Sequence, residues 1–131
     1  VIGILVTSHG PFCEALIKTG EMITGKHDNV SYILLNDKGV NYYAKKLEEK
    51  LNLMFEEYDG VVILCDIKGG TPCNESLKYA LTYKKNLAIL AGVNLPTYLE
   101  IVNSISFIES IPELMNFVKQ TCLNTVEIIE L

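Results

Sequence analysis

Two stretches of this chain hold side chains that could do chemistry together. In "VIGILVTSHGPF", residues 1 to 12, an apolar run gives way at Ser8 to His9, Gly10 and Pro11. In "GVVILCDIKGGTPCN", residues 60 to 74, a second apolar run gives way to Asp66 and then to Gly69, Gly70, Thr71 and Pro72. A carboxylate that accepts the Nδ1 hydrogen of an imidazole fixes its tautomer and leaves Nε2 as a free lone pair, which is a nucleophile. Glycines let backbone approach an anion, and Thr71-Pro72 reads as an N-cap followed by a first helical residue. Amides at that helix start, with the Thr71 hydroxyl, would form a phosphate-sized site. The chemistry implied is a phosphohistidine, with His9 and Asp66 as the catalytic pair and Ser8, Gly10, Gly69, Gly70 and Thr71 around the phosphate.

Singly, each feature has a plainer reading. A histidine at a strand end is more often structural, an aspartate there can cap its own turn, and "GGTP" alone is a tight strand-to-helix connection. Their expected convergence on one rim tips the balance.

The elements that would bring them together follow from periodicity. "VIGILV" (1–6) and "GVVILCD" (60–66) are continuous apolar runs suited to strands buried on both faces, and Val30–Leu35 and residues 86–91 add two more. Helical spacing predicts helices from Pro11 to about Gly25, over Val40–Tyr58, after Thr71, from near Pro96, and from Pro112 to about Cys122. The first presents Phe12, Ala15, Leu16, Thr19, Met22 and Ile23 as its apolar stripe. The second presents Val40, Tyr43, Ala44, Leu47, Leu51, Met54 and Phe55, so Tyr43 and its neighbour Tyr42 read as packing residues. Alternating strands and helices predict one α/β domain over residues 1–131, a mainly parallel, doubly wound sheet with helices on both faces. Ligands of such sheets gather outside the carboxyl ends of the strands, where the His9, Asp66 and Gly92–Asn94 loops would meet. His27 falls on the opposite rim and reads as solvated. The alternating tail "TVEIIEL" (125–131) reads as a C-terminal edge strand, either of this chain or exchanged with a second copy.

Composition excludes several classes. Hydrophobic residues make up 49% and charged residues 21%, the composition of a soluble globular domain. No apolar run approaches the roughly 20 residues of a membrane span, and the start lacks the pattern of a signal peptide. The net charge is −5, and all 11 positive side chains are lysines, which argues against nucleic acid. Cys13, Cys65, Cys73 and Cys122 are scattered without a C-x-x-C pair, so they read as reduced thiols of a cytoplasmic protein. The rim offers too few ligands for a metal, and the chemistry calls for no cofactor.

"SHG" (8–10), "CDIKGGTPCN" (65–74) and "AGVNLP" (91–96) resemble, in this order, three motifs of the IIA component of the mannose-type (mannose, fructose and sorbose) sugar phosphotransferase system. The resemblance extends over the whole chain. It implies a phosphotransferase acting as a phosphohistidine carrier: His9 accepts a phosphoryl group from HPr and passes it to a IIB partner, which serves sugar uptake with the membrane components IIC and IID. It also implies Asp66 as the orienting carboxylate, Thr71 as a phosphate-side hydroxyl, and a homodimer whose C-terminal strand can be exchanged. Lys68 and Cys73 depart from the pattern, since aromatic residues are common at both places.

Other readings make different demands. A hydrolase built on Ser8, His9 and Asp66 conflicts with the opposite orientation of adjacent strand residues. The phosphotransfer subunit of a dihydroxyacetone kinase system shares the chemistry with a different acceptor. A non-covalent regulatory α/β domain would keep its activity without His9.

Overall fold

The strand β1 (Ile2–His9) is buried from Ile2 through Ser8 and meets solvent only at its last residue. It can be so because helices cover both faces of its sheet, as the computed structural model of all 131 residues makes plain. The elements follow as α1 (Phe12–Thr24), β2 (Val30–Leu35), α2 (Val40–Glu57), β3 (Gly60–Cys65), α3 (Thr71–Tyr83), β4 (Leu87–Ala91), α4 (Leu95–Ser104) and α5 (Ile111–Thr121). All strand pairs are parallel, in the order β2-β1-β3-β4.

Two cores result. Ile2, Ile4 and Val6 of β1, with Val62 and Leu64 of β3, pack against Leu16 of α1, Tyr98 and Ile101 of α4, and Leu114 and Val118 of α5. On the other face Leu5, Val61, Ile63 and Cys65 pack against Tyr43, Leu47, Leu51 and Met54 of α2 and Tyr79 of α3. Each fully buried aliphatic side chain is worth roughly 1.5–3 kcal/mol of transfer from water, so β1 and β3 anchor the fold. The second core also holds a polar relay. Thr7 donates through Oγ1 to the Ile33 carbonyl at 2.7 Å, which leaves Tyr43 to donate to Thr7 at 2.5 Å.

Strands and helices lie close to their expected positions, with four corrections. The α1 stripe is rotated: Cys13, Leu16 and Gly20 face inward, while Phe12, Met22 and Ile23 are exposed. The cause is Gly20, where a Cβ would stand 2.5 Å from Tyr98 Cε2, so the glycine lets α1 and α4 meet closely. Thr71 is not the cap of α3; Gly70 holds that position and Thr71 begins the helix. His27 is half-buried rather than solvated, its Nε2 3.0 Å from Thr24 Oγ1. The C-terminal tail forms no strand in the single chain, so β4 is the sheet edge, and Val126, Ile128, Ile129 and Leu131 lie open to solvent.

Candidate functional site

In the order β2-β1-β3-β4 the chain leaves β1 toward one edge and β3 toward the other, so the loops after these neighbouring strands diverge. Such a switch point is where open parallel sheets leave a crevice. His9 ends β1 and Asp66 follows β3, and they meet in it.

Asp66 Oδ2 lies 2.8 Å from His9 Nδ1 and accepts the His9 backbone N–H at 2.9 Å. Its other oxygen accepts the Ile67 N–H at 2.9 Å. A carboxylate only accepts, so Nδ1 carries the proton and Nε2 is the lone pair. The Asp66 side chain is 15% exposed and that of His9 50%, which leaves the carboxylate sheltered and half of the imidazole in water.

The glycine loop presses on that edge. A Cβ at Gly70 would stand 2.7 Å from His9 Cε1 and 3.4 Å from Nε2, so only glycine lets the backbone lie against the ring. Gly69 has φ +82°, which turns the chain into α3. Asn74, which sequence reasoning left without a role, braces this loop by donating from Nδ2 to the Gly69 carbonyl at 3.0 Å. Its position in the first turn of the helix was the available signal. The amides of Thr71 and Cys73 have no acceptor within the chain, the usual state of a helix N-terminus, and Pro72 has none to offer. Thr71, the first residue of α3, is half-buried.

Two residues expected around a phosphate are engaged elsewhere. The Ser8 hydroxyl is buried, accepts the Cys13 N–H at 2.8 Å and donates to the Gly10 carbonyl at 3.0 Å. It ties the start of α1 to β1 and faces away from Asp66, which removes the hydrolytic arrangement too. Gly10 at φ +57° donates its N–H to Leu35 O at 2.7 Å. The third loop serves as a buttress, with the amides of Gly92 and Val93 both donating to the Cys65 carbonyl at 3.0 Å.

No group of three or more histidine, cysteine or carboxylate side chains is arranged to hold a metal. The site is open: the principal cavities, such as one of about 310 Å³ between α2 and α3 lined by Tyr79 and Tyr83, do not include His9 or Asp66.

The fold and site define a doubly wound, parallel α/β domain with a histidine–carboxylate pair at its switch point. The family described as PTS system fructose IIA component matches residues 3–119, and the chain belongs to it. It is 35% identical over 102 residues to the PTS system mannose-specific EIIAB component of Escherichia coli (strain K12), covering 76% of this chain and 30% of that protein. It therefore spans about a third of that relative's length. With the PTS system fructose-specific EIIA component of Bacillus subtilis (strain 168) it shares 31% identity over 104 residues, 79% of this chain and 70% of that one. Among solved structures, the mannose/sorbose specific IIA subunit of Enterococcus faecalis superimposes with a TM-score of 0.80 at 29% identity, covering 98% of this chain and 95% of the other. The component EIIA of Streptococcus agalactiae gives 0.80 at 26% identity, with 92% and 91% covered. No helix of the chain is long and apolar enough to cross a membrane.

Proposed function

We propose that this IIA component carries a phosphoryl group on Nε2 of His9. The observation that carries the reading is the 2.8 Å pairing of Nδ1 with Asp66, which leaves Nε2 as the nucleophilic atom of a half-exposed ring.

The step balances without added acid or base. Nε2 attacks phosphorus in line as the donor's N–P bond breaks. His9 keeps its Nδ1 proton and becomes a phosphoimidazolium, whose positive charge faces the Asp66 carboxylate. A donor ring that began as the same species leaves as neutral imidazole. The Thr71 and Cys73 amides and the Thr71 hydroxyl supply donors to the equatorial oxygens, where transition-state charge develops.

Family membership supports HPr as the donor, a IIB protein as the acceptor, and IIC and IID as the membrane components beyond it. It supports equally a homodimer that works in the cytoplasm. Intact mass after incubation with phosphoenolpyruvate, enzyme I and HPr tests the central step: one acid-labile phosphate is expected on the wild type and none on His9→Ala. An unmodified wild type beside an active donor would overturn it.

A further inference from the structure

The loop that presses on His9 carries one charged side chain besides Asp66. Lys68 stands between Asp66 and the glycine pair, exposed, in a chain whose net charge is −5. We infer that the Lys68 ammonium is a further catalytic group of this site, meeting the oxygens of the phosphoryl group on His9; the inference rests on the carrier reading above.

Reach is set by the backbone. Gly70 lies against the Cε1–Nε2 edge of the ring, so closely that a Cβ there would be 2.7 Å from Cε1. Lys68 is two residues earlier, so its Cα is within about 7.6 Å of that of Gly70, two trans-peptide spacings. The turn at Gly69, φ +82°, shortens the span further. A four-carbon stem with three rotatable donors covers the remaining distance to a group projecting from Nε2.

Lys68 is also uncommitted. The ion pairs of the chain join Val1 to Asp59, Lys18 to Glu14, Lys46 to Glu49 and His9 to Asp66. Asp66, the nearest carboxylate in sequence, already receives three donors, from His9 Nδ1, His9 N and Ile67 N. The other lysine near this rim, Lys38 in the turn after β2, has its ammonium 4.8 Å from the centre of the Tyr42 ring. A phosphoryl dianion on Nε2 would lie beside the Asp66–Gly70 loop, and Lys68 is the cation there. A lysine suits a carrier, because a single solvated ammonium holds phosphate less firmly than the bidentate fork of an arginine. The group can leave again.

The test separates contact with the phosphoryl group from docking of a protein donor. Wild type, Lys68→Gln, Lys68→Arg and His9→Ala are phosphorylated by potassium phosphoramidate, which has no protein surface, and in parallel by the HPr system. In the phosphoramidate reaction the zwitterionic donor, its nitrogen already protonated, loses its N–P bond as the Nε2–P bond forms, and that nitrogen leaves as neutral ammonia. Lys68→Gln is expected to be slower by about tenfold with both donors, less than the loss from removing an enclosed oxyanion donor because this site is open to solvent. Lys68→Arg is expected to recover most of the rate. The phosphorus resonance of phosphorylated Lys68→Gln should titrate at higher pH than that of the wild type, because the ammonium no longer favours the dianion; a merely structural role would not move it. Equal phosphoramidate rates for Lys68→Gln and wild type overturn the inference, and a deficit confined to HPr would make Lys68 a docking residue instead. A wild type that takes phosphate from neither donor removes the carrier reading, and this inference with it.

Discussion

One oxygen of Asp66 holds His9 twice, by its backbone N–H at 2.9 Å and by its ring Nδ1 at 2.8 Å. Position and tautomer of the imidazole are thus fixed by the same atom. All three partners of the carboxylate are donors, so in Asp66→Asn the amide NH2 must face a donor whichever way it is turned. That variant also loses the charge opposite the phosphoimidazolium. A stability loss of about 1–3 kcal/mol is expected, with phosphorylation slowed about 100-fold or more. A rate within twofold of wild type in a time course of intact mass would show that the carboxylate is only a structural cap.

Gly70 and Gly69 should separate sterics from strain. Gly70 has φ −78°, which any residue adopts, but an added methyl would run into the His9 ring. Gly70→Ala is therefore expected to fold nearly normally and to transfer phosphate about 10- to 100-fold more slowly, since small misplacements of reacting groups are costly. At Gly69 nothing lies within 4 Å of an added Cβ, but φ is +82°. Gly69→Ala should lose about 1–2 kcal/mol of stability with a smaller effect on rate. The reverse order in paired melting and phosphorylation measurements would refute this account of the loop.

Gly20 should behave as a packing residue with no part in transfer. Alanine there gains roughly 1 kcal/mol in helix propensity. Its Cβ would stand 2.5 Å from Tyr98 Cε2, however, and Tyr98 is only 1% exposed. Overpacking costs about 1–3 kcal/mol, and a contact this close belongs toward the upper end, so a net loss of about 1–2 kcal/mol is expected. A Gly20→Ala protein with an unchanged urea midpoint would mean that the α1–α4 contact gives way freely.

Alkaline pH should destabilise the fold through buried acids that resist ionising. Burial raises the Cys65 thiol from 9.0 to about 12 and the Tyr98 phenol from 10.0 to about 12. Above the ordinary values the unfolded chain gives up these protons while the folded chain keeps them. Stability is then complete below about pH 9 and is lost as pH rises toward about 12, each group contributing up to about 1.4 kcal/mol per pH unit. Urea unfolding at about pH 8 and about pH 10.5 should show the fall, shallower in Cys65→Ala. Equal slopes for the two proteins would exclude Cys65 as a source.

What the sequence made legible was local. The apolar run of β3 stops at Asp66, and that of β1 gives way through Thr7 and Ser8 to His9, which singles out both residues without a structure. Their adjacency is not local: only the order β2-β1-β3-β4 makes β1 and β3 neighbours at a switch point. The α1 face was misplaced because Gly20 and Cys13, which carry little or no hydrophobic weight in a periodicity, are the residues packed inward. Ser8 looked like a rim residue because it precedes His9, yet its hydroxyl turns under α1 to take the Cys13 amide. The tail alternates as a strand should, but alternation supplies no partner for its backbone, and in the single chain it stays unpaired.

On the carrier role proposed above, the half-exposed ring of His9 would set a clock on the phosphorylated protein. Gly70 covers one side of the Cε1–Nε2 edge and half of the ring stays open, so a phosphoryl group carried there would meet water once the donor departs, and hydrolysis would compete with every onward transfer. Dry surroundings would then arrive only with a partner, each encounter building half of the reaction chamber and dismantling it on leaving. Fidelity then depends less on how tightly this protein grips its cargo than on how soon the next surface closes over it.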